Sequence, residues 1–183
     1  MSKERILNNA IAMFTEEGYD KVSMREIAEA AGVTKPALYY HFNSKEDIVA
    51  TYLENYLLNH KEFINWVQNT QGISSTELVK VYCDFSRETG AEVMAFIRRN
   101  HRVVRDLIKA NTIDEDIETI GKILTDIVTK EWELEKSNLA IKTRVQLVLV
   151  GIIMGVYSSN KEDDEDATFE EIQKAANILL AKP

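Results

Sequence analysis

The sequence predicts an all-α protein, and three observations carry that prediction. Proline occurs only at Pro36 and Pro183, which leaves 146 consecutive residues without one. Glycine occurs seven times in 183 residues, too seldom for the turns of a β-sandwich or barrel. Apolar residues recur at helical spacing nearly throughout, bounded by capping and stop signals. Hydrophobic residues make up 45% and charged residues 28%, the balance of a folded chain with a real core.

The elements follow in order. A first helix over 3–17 places Ile6, Ala10, Met13 and Phe14 on one face and stops at Gly18. Ser23 and Glu26 form a capping box that opens a short helix to about residue 31. Gly32 turns the chain, and Thr34 caps a third short helix to Phe42, where Pro36 is tolerated in the first turn. Ser44 and Asp47 open a long helix to about residue 69. Helices over 74–99, 101–109, 114–136 and 139–158 come next. A charged loop at 160–166 and a last amphipathic helix over 168–181 bring the total to about nine. The domains are expected to divide at 47/48.

Net charge is −8, from 22 Lys/Arg and 30 Asp/Glu, which argues against indiscriminate binding to nucleic acid or anionic membrane. A single cysteine, Cys83, excludes an intrachain disulfide and suits a reducing cytoplasm. The N-terminus lacks an apolar signal-like run. The longest apolar stretch, 145–157, is short of the ~20 residues of a membrane span and reads as a buried core helix. His41, His60 and His101 lack metal-ligand spacing with Cys83, so neither a metal nor another cofactor is expected. Cys83 with His101 can be imagined as a nucleophile–base pair, but their separation in sequence gives no geometry. No oxyanion motif accompanies it, so no enzyme is expected.

Two short helices joined by a glycine turn make a helix-turn-helix pattern. Leu38 and Phe42, at i and i+4, face inward toward Ile27 and Ala31. That leaves Thr34, Lys35, Ala37, Tyr39, Tyr40 and His41 outward, unless one tyrosine turns into the core. From residue 34 to 45 no carboxylate appears and the formal charge is +2. A small positive face on an acidic protein suits selective docking onto phosphates. Against it, residues 1–60 hold six Lys/Arg and nine Asp/Glu. Glu16, Glu17, Asp20, Glu29 and Glu54 are therefore expected away from the docking face, with Glu26, Glu46 and Asp47 engaged at helix starts.

The run SMREIAEAAGVTKPALYYHFNSKEDI, residues 23–48, resembles the signature of the TetR family of bacterial transcriptional regulators. Arg5-Ile6-Leu7, Ala10, Phe14 and Gly18-Tyr19 fit the same pattern, so the likeness covers about residues 5–50. One departure is Pro36, where relatives often carry glycine or a small polar residue; it removes a backbone donor. The Thr34 hydroxyl and nearby amides can hold a phosphate. Lys35 can read a guanine or neutralise a phosphate, and the Ala37 methyl can meet a thymine methyl. Tyr39, Tyr40 and His41 resemble family contacts to backbone and bases. Lys45 resembles a phosphate contact, and Arg25 can reach a phosphate or base edge.

The resemblance implies a ligand-responsive regulator, most simply a repressor. It would bind a palindromic double-stranded operator as a homodimer and be released by a small-molecule effector. A symmetric operator needs two heads. The last two helices resemble the family's four-helix dimer interface, with Val148, Gly151, Ile152, Gly155, Phe169, Ile172, Ala176 and Leu179 as its residues. Trp66, Tyr82, Phe85, Met94, Ile97 and Trp132 would line the effector pocket, although such stripes at helical spacing also serve as plain core. The cluster of Arg98, Arg99, Arg102 and Arg105 with His101 reads as a solvated or ion-paired face, with a site for an anionic effector as the alternative. The alternative is a helical small-molecule sensor or scaffold that has lost specific DNA binding.

Overall fold

The structure is a computed structural model that describes residues 3–108, 114–158 and 165–183. Those residues form eight α-helices and one 3-10 turn, and no strand occurs among them. They are α1 (Lys3–Glu16), the 3-10 turn (Tyr19–Lys21), α2 (Met24–Ala30), α3 (Lys35–His41), α4 (Lys45–Asn69), α5 (Ser75–Ile108), α6 (Asp114–Glu131), α7 (Leu139–Ser158) and α8 (Glu165–Leu180). The count is eight because the expected helices at 74–99 and 101–109 run on as one. The expected break survives as a kink: Asn100 takes a non-helical backbone, φ −122° and ψ 28°. Most of the charged loop, residues 160–164, lies outside the described residues, and its last two residues open α8.

The chain divides into two compact units, Met1–Leu58 with Glu92–Ile113, and Asn59–Ala91 with Asp114–Pro183. The division is not contiguous in sequence, unlike the one expected at 47/48. The reason is visible in the core of the first unit. Ile6, Ala10, Phe14, Ile27, Leu38 and Phe42 pack with Ile48, Val49 and Leu53 from α4 and with Phe96 and Val104 from α5. The start of α4 and the end of α5 thus belong to the head.

Capping fixes the head's short helices, which are too brief to persist alone. Ser23 accepts from the Glu26 amide while the Glu26 carboxylate accepts from the Ser23 amide, so the expected capping box is present. Those bonds hold the Glu26 carboxyl below the usual carboxylate range. At the other end of α2, Gly32 adopts φ +62°. Its amide reaches the Glu29 carbonyl at 3.0 Å and the Val33 amide reaches Ala28 at 2.9 Å, a Schellman closure that needs a left-handed residue. Arg5 donates through Nη2 to the Ala31 carbonyl at 2.7 Å, tying α1 to the turn.

Asn100 joins the end of α5 to the head. It is 4% exposed, and its carboxamide donates to the carbonyls of Phe14 (2.9 Å) and Phe96 (3.0 Å). Its oxygen accepts from the Tyr19 amide at 2.7 Å, and the neighbouring Arg99 donates to the Glu17 carbonyl at 3.2 Å. The kink and the clamp are one feature: leaving helical φ/ψ at residue 100 accompanies a side chain bridging α1 and the 3-10 turn.

In the second unit α7 packs on α6 and α8. α6 ends earlier than expected, at Glu131, because Glu133 turns left-handed at φ 58° and the Leu134 amide closes onto Thr129. Ser75 opens α5 by donating from its amide and hydroxyl to the Glu131 carboxylate. Trp132 donates its indole N–H to the Leu180 carbonyl at 3.1 Å, with the Arg144 guanidinium over its ring.

The residues expected at a dimer interface differ in their burial within the chain. Val148, Ile152, Phe169 and Ala176 are buried within the chain, and so is Gly155. A β-carbon on Gly155 would overlap Ile172, so this glycine serves the close approach of α7 to α8 in one chain. Ile172 and Leu179 are half-buried, and Gly151 faces open space. The apolar side of α7 left exposed is instead Leu139, Leu147, Val150 and Met154, at spacings of 8, 3 and 4. α7 is therefore not buried all round. It is the one described helix long and apolar enough to cross a membrane by length and composition.

Candidate nucleic-acid interface

The interface is built on α2, the turn at Gly32, and α3. Leu38 is fully buried, as its i,i+4 partner Phe42 is, so the opposite side of α3 must face outward. Thr34 caps α3, its hydroxyl accepting from the Ala37 amide at 3.4 Å. Pro36 therefore removes a donor that the first turn would have left unmatched. Lys35 is exposed, and Ala37 and His41 are half-buried. Tyr39 is 42% exposed and Tyr40 85% exposed, with the Tyr40 ring edge-on to His41 at 5.1 Å. Neither tyrosine turns fully into the core, and α3 carries no carboxylate. An aromatic ring held open to water loses apolar burial, so an 85% exposed Tyr40 on the same short helix as an exposed Lys35, whose ammonium lies over the Tyr39 ring, has the composition of a contact surface.

Two expected contacts are engaged within the chain. Lys45 donates from Nζ to the carbonyls of Tyr19 (2.7 Å) and Val22 (2.8 Å), and its ammonium sits 4.2 Å from the Tyr19 ring centroid. It ties the start of α4 to the 3-10 turn, which makes it a structural clamp before it is anything else. Arg25 is exposed, as expected, but its Nε donates to Glu29 at 2.9 Å. Glu29, expected away from the docking face, stands beside Arg25 through the i,i+4 geometry of α2. Of the other acids, Glu26 is engaged at Ser23, and Asp47 accepts from the amide and side chain of Asn43.

The expected pocket residues are divided between the two units. Trp66, Tyr82 and Phe85 lie in the second unit in an aromatic cluster with Phe63 and His60, where Phe63 stacks on Phe85 at 4.5 Å. Trp132 is in the same unit, buried at the end of α6. Met94 and Ile97 lie in the first unit, and Ile97 packs against the head core. An open groove of about 1040 Å³ runs along α6 and α7, lined by Lys122, Asp126, Lys142, Leu147, Val150 and Ile153 among others and by none of the six expected residues. This groove carries no signal in the sequence, because its polar members lie outside the aromatic stripes.

Cys83 is wholly buried, and burial, with the Asp84 carboxylate adding to it, pushes its thiol up to about 12. No thiolate is present near neutral pH to act as a nucleophile. Because the native value lies above the unfolded one, the thiol's contribution to stability is full below about pH 8.5 and is lost as pH rises toward 12. Iodoacetamide at pH 8 is expected to leave the native protein unmodified and to label one thiol in denaturant. Rapid labelling of the native protein would contradict the burial. Among the described residues, no group of three or more His, Cys, Asp or Glu is placed to hold a metal ion.

The comparisons with known proteins bear on this site. Residues 6–52 match the family model for bacterial regulatory proteins of the tetR family. The chain is 40% identical over 53 residues to the biofilm operon icaADBC HTH-type negative transcriptional regulator IcaR of Staphylococcus epidermidis. That match covers 29% of this chain and 29% of the relative, so the likeness is confined to the head. Over nearly the full length, the fold is similar to the ketosteroid transcriptional regulator KstR2 of Mycobacterium tuberculosis, with a TM-score of 0.71 and 17% identity. That alignment covers 97% of this chain and 92% of the other. It is likewise similar to the fatty acid degradation regulator FadR from Bacillus halodurans, with a TM-score of 0.70, 17% identity, and coverage of 98% and 94%. Residues 6–52, with their capped α2, Gly32 turn and outward α3, are thus similar to the N-terminal segment of the tetR family of bacterial regulatory proteins, and the chain spans under a third of the length of the curated relatives it matches.

Proposed function

We propose that the protein is a cytoplasmic, ligand-responsive transcriptional repressor that binds a palindromic DNA operator as a homodimer. The observation that carries this reading is the outer side of α3. Its seven residues hold no carboxylate in a chain of net charge −8, and they present Lys35, Tyr39 and Tyr40 to solvent. A helix with that surface enters the major groove, where Lys35 meets a guanine edge or phosphate and the tyrosine hydroxyls donate to phosphates. IcaR, the relative that the head resembles, is a negative transcriptional regulator, which supports the repressor sign. Release by a small molecule requires only that the effector prefer a geometry in which the two heads no longer match the half-sites.

The dimer face we assign is the exposed apolar side of α7, Leu139, Leu147, Val150 and Met154, joined by Ile178 on α8, which is 76% exposed. Spacing of 8, 3 and 4 keeps these α7 residues on one stripe, the pattern of a helix meeting a second helix. A second copy covers it by two-fold symmetry. Val150→Glu is expected to give a monomer in sedimentation velocity at micromolar concentration, with helical content unchanged. A variant that sediments like the native dimer would move the interface elsewhere.

The function itself is tested by selection from a random duplex library. An enriched inverted repeat is the expected result, and a library that enriches nothing overturns the reading. In that case the excess of acidic residues in 1–60 and the Arg25–Glu29 pair favour the second reading, a helical sensor without specific DNA binding.

A further inference from the structure

Arg25 and Glu29 sit one turn apart on α2, with 80% and 63% of their side chains exposed. Their contact is a single charged hydrogen bond from Nε, 2.9 Å long. A guanidinium has five N–H donors in a rigid plane, and a carboxylate on Nε leaves the four on the two terminal nitrogens. Those nitrogens form the fork that matches the O6 and N7 of a guanine, and equally the oxygens of a phosphate. The two ligands differ in charge. Toward a phosphate, the attraction of Arg25 is opposed by the carboxylate beside it. Toward a neutral base edge, the hydrogen bonds are intact.

Resting on the DNA-binding reading above, we propose that Glu29 is a specificity-determining residue of the head. It holds Arg25 by Nε so that its terminal fork addresses a base edge, and it cancels the cation's pull on phosphates. Arg25 then contributes to sequence reading and little to unspecific attraction. This gives the surplus of acidic residues in the head a use: weak unspecific binding raises the ratio by which a regulator finds its site among competing sequences. Glu29 acts through Arg25 and is a positioning residue in that sense.

The test uses the full chain with two duplexes of equal length, the one recovered by selection and one of random sequence, titrated between 50 and 200 mM salt. Glu29→Gln removes the negative charge and keeps the shape. It is expected to tighten binding to the random duplex about fivefold and to steepen its log–log salt slope by about 1, since one more cation then displaces counterions. The recovered duplex gains less, so discrimination falls. The double variant Arg25→Ala/Glu29→Gln has the same net charge as the native pair. It is expected to bind the random duplex like the native protein but to lose about tenfold in discrimination at one base pair of each half-site. Thermal unfolding stays within a degree or two in both, because the pair is exposed. Unchanged random-duplex affinity and slope in Glu29→Gln, or full discrimination in the double variant, overturns the proposal. A native protein that prefers no duplex overturns the DNA-binding reading itself, which is a distinct result.

Discussion

Replacing Asn100 by alanine is expected to lower the unfolding free energy by about 2–4 kcal/mol, the largest stability effect of any polar substitution in the head. The buried carboxamide is lost, and with it the acceptor for the Tyr19 amide at 2.7 Å and the donor to Phe14 and Phe96. The Phe14 carbonyl keeps the Gly18 amide at 3.1 Å, so the Tyr19 amide is the group most exposed to loss. A buried amide without an acceptor costs ~1–3 kcal/mol, and the vacated volume adds to it. Urea unfolding checks the figure. Asn100→Asp keeps the acceptor for Tyr19 but buries a charge against the Phe14 and Phe96 carbonyls, so at neutral pH it should be no more stable than Asn100→Ala. Equal stability of Asn100→Ala and the native protein would show that the clamp is not under load.

Tyr40→Ala is expected to weaken operator binding by tenfold or more while leaving the unfolding midpoint nearly unchanged. The separation follows from exposure. A side chain 85% open to solvent adds little to folding, whereas a contact to base or phosphate is worth ~1–3 kcal/mol in the complex. Its partner His41 is half-buried, so His41→Ala mixes the two effects and is the poorer probe. Lys45→Ala behaves in the opposite way to Tyr40→Ala. It removes the bonds to Tyr19 and Val22, so its loss of DNA binding is expected to come with a loss of stability. Fluorescence anisotropy and thermal unfolding of the three variants distinguish these patterns.

The legibility of this protein follows the range of its interactions. Ser23, Glu26, Gly32 and Thr34 act within five residues of themselves, so the helix-turn-helix and its caps are readable from spacing. Leu38 and Phe42 point inward because i,i+4 pairs share a face, which also fixes Tyr40 outside. Asn100 was not readable, since its partners lie 81 and 86 positions away and an asparagine in a helical run carries no periodic signal. Lys45 reads as a surface cation until the carbonyls of Tyr19 and Val22 are seen to converge on it. α7 failed differently. Apolar residues surround it, so periodicity gives it no preferred side, and only packing shows that Val148 and Ile152 face its own chain while Val150 and Met154 do not.

The most direct measurement is an amide and tyrosine-ring NMR titration of the full chain with the duplex recovered by selection. Perturbations concentrated at Arg25 and from Thr34 to His41, with the Tyr40 ring among the largest, are the predicted result. A duplex that binds while leaving those resonances in place would contradict the assignment of the outer side of α3 as the reading surface.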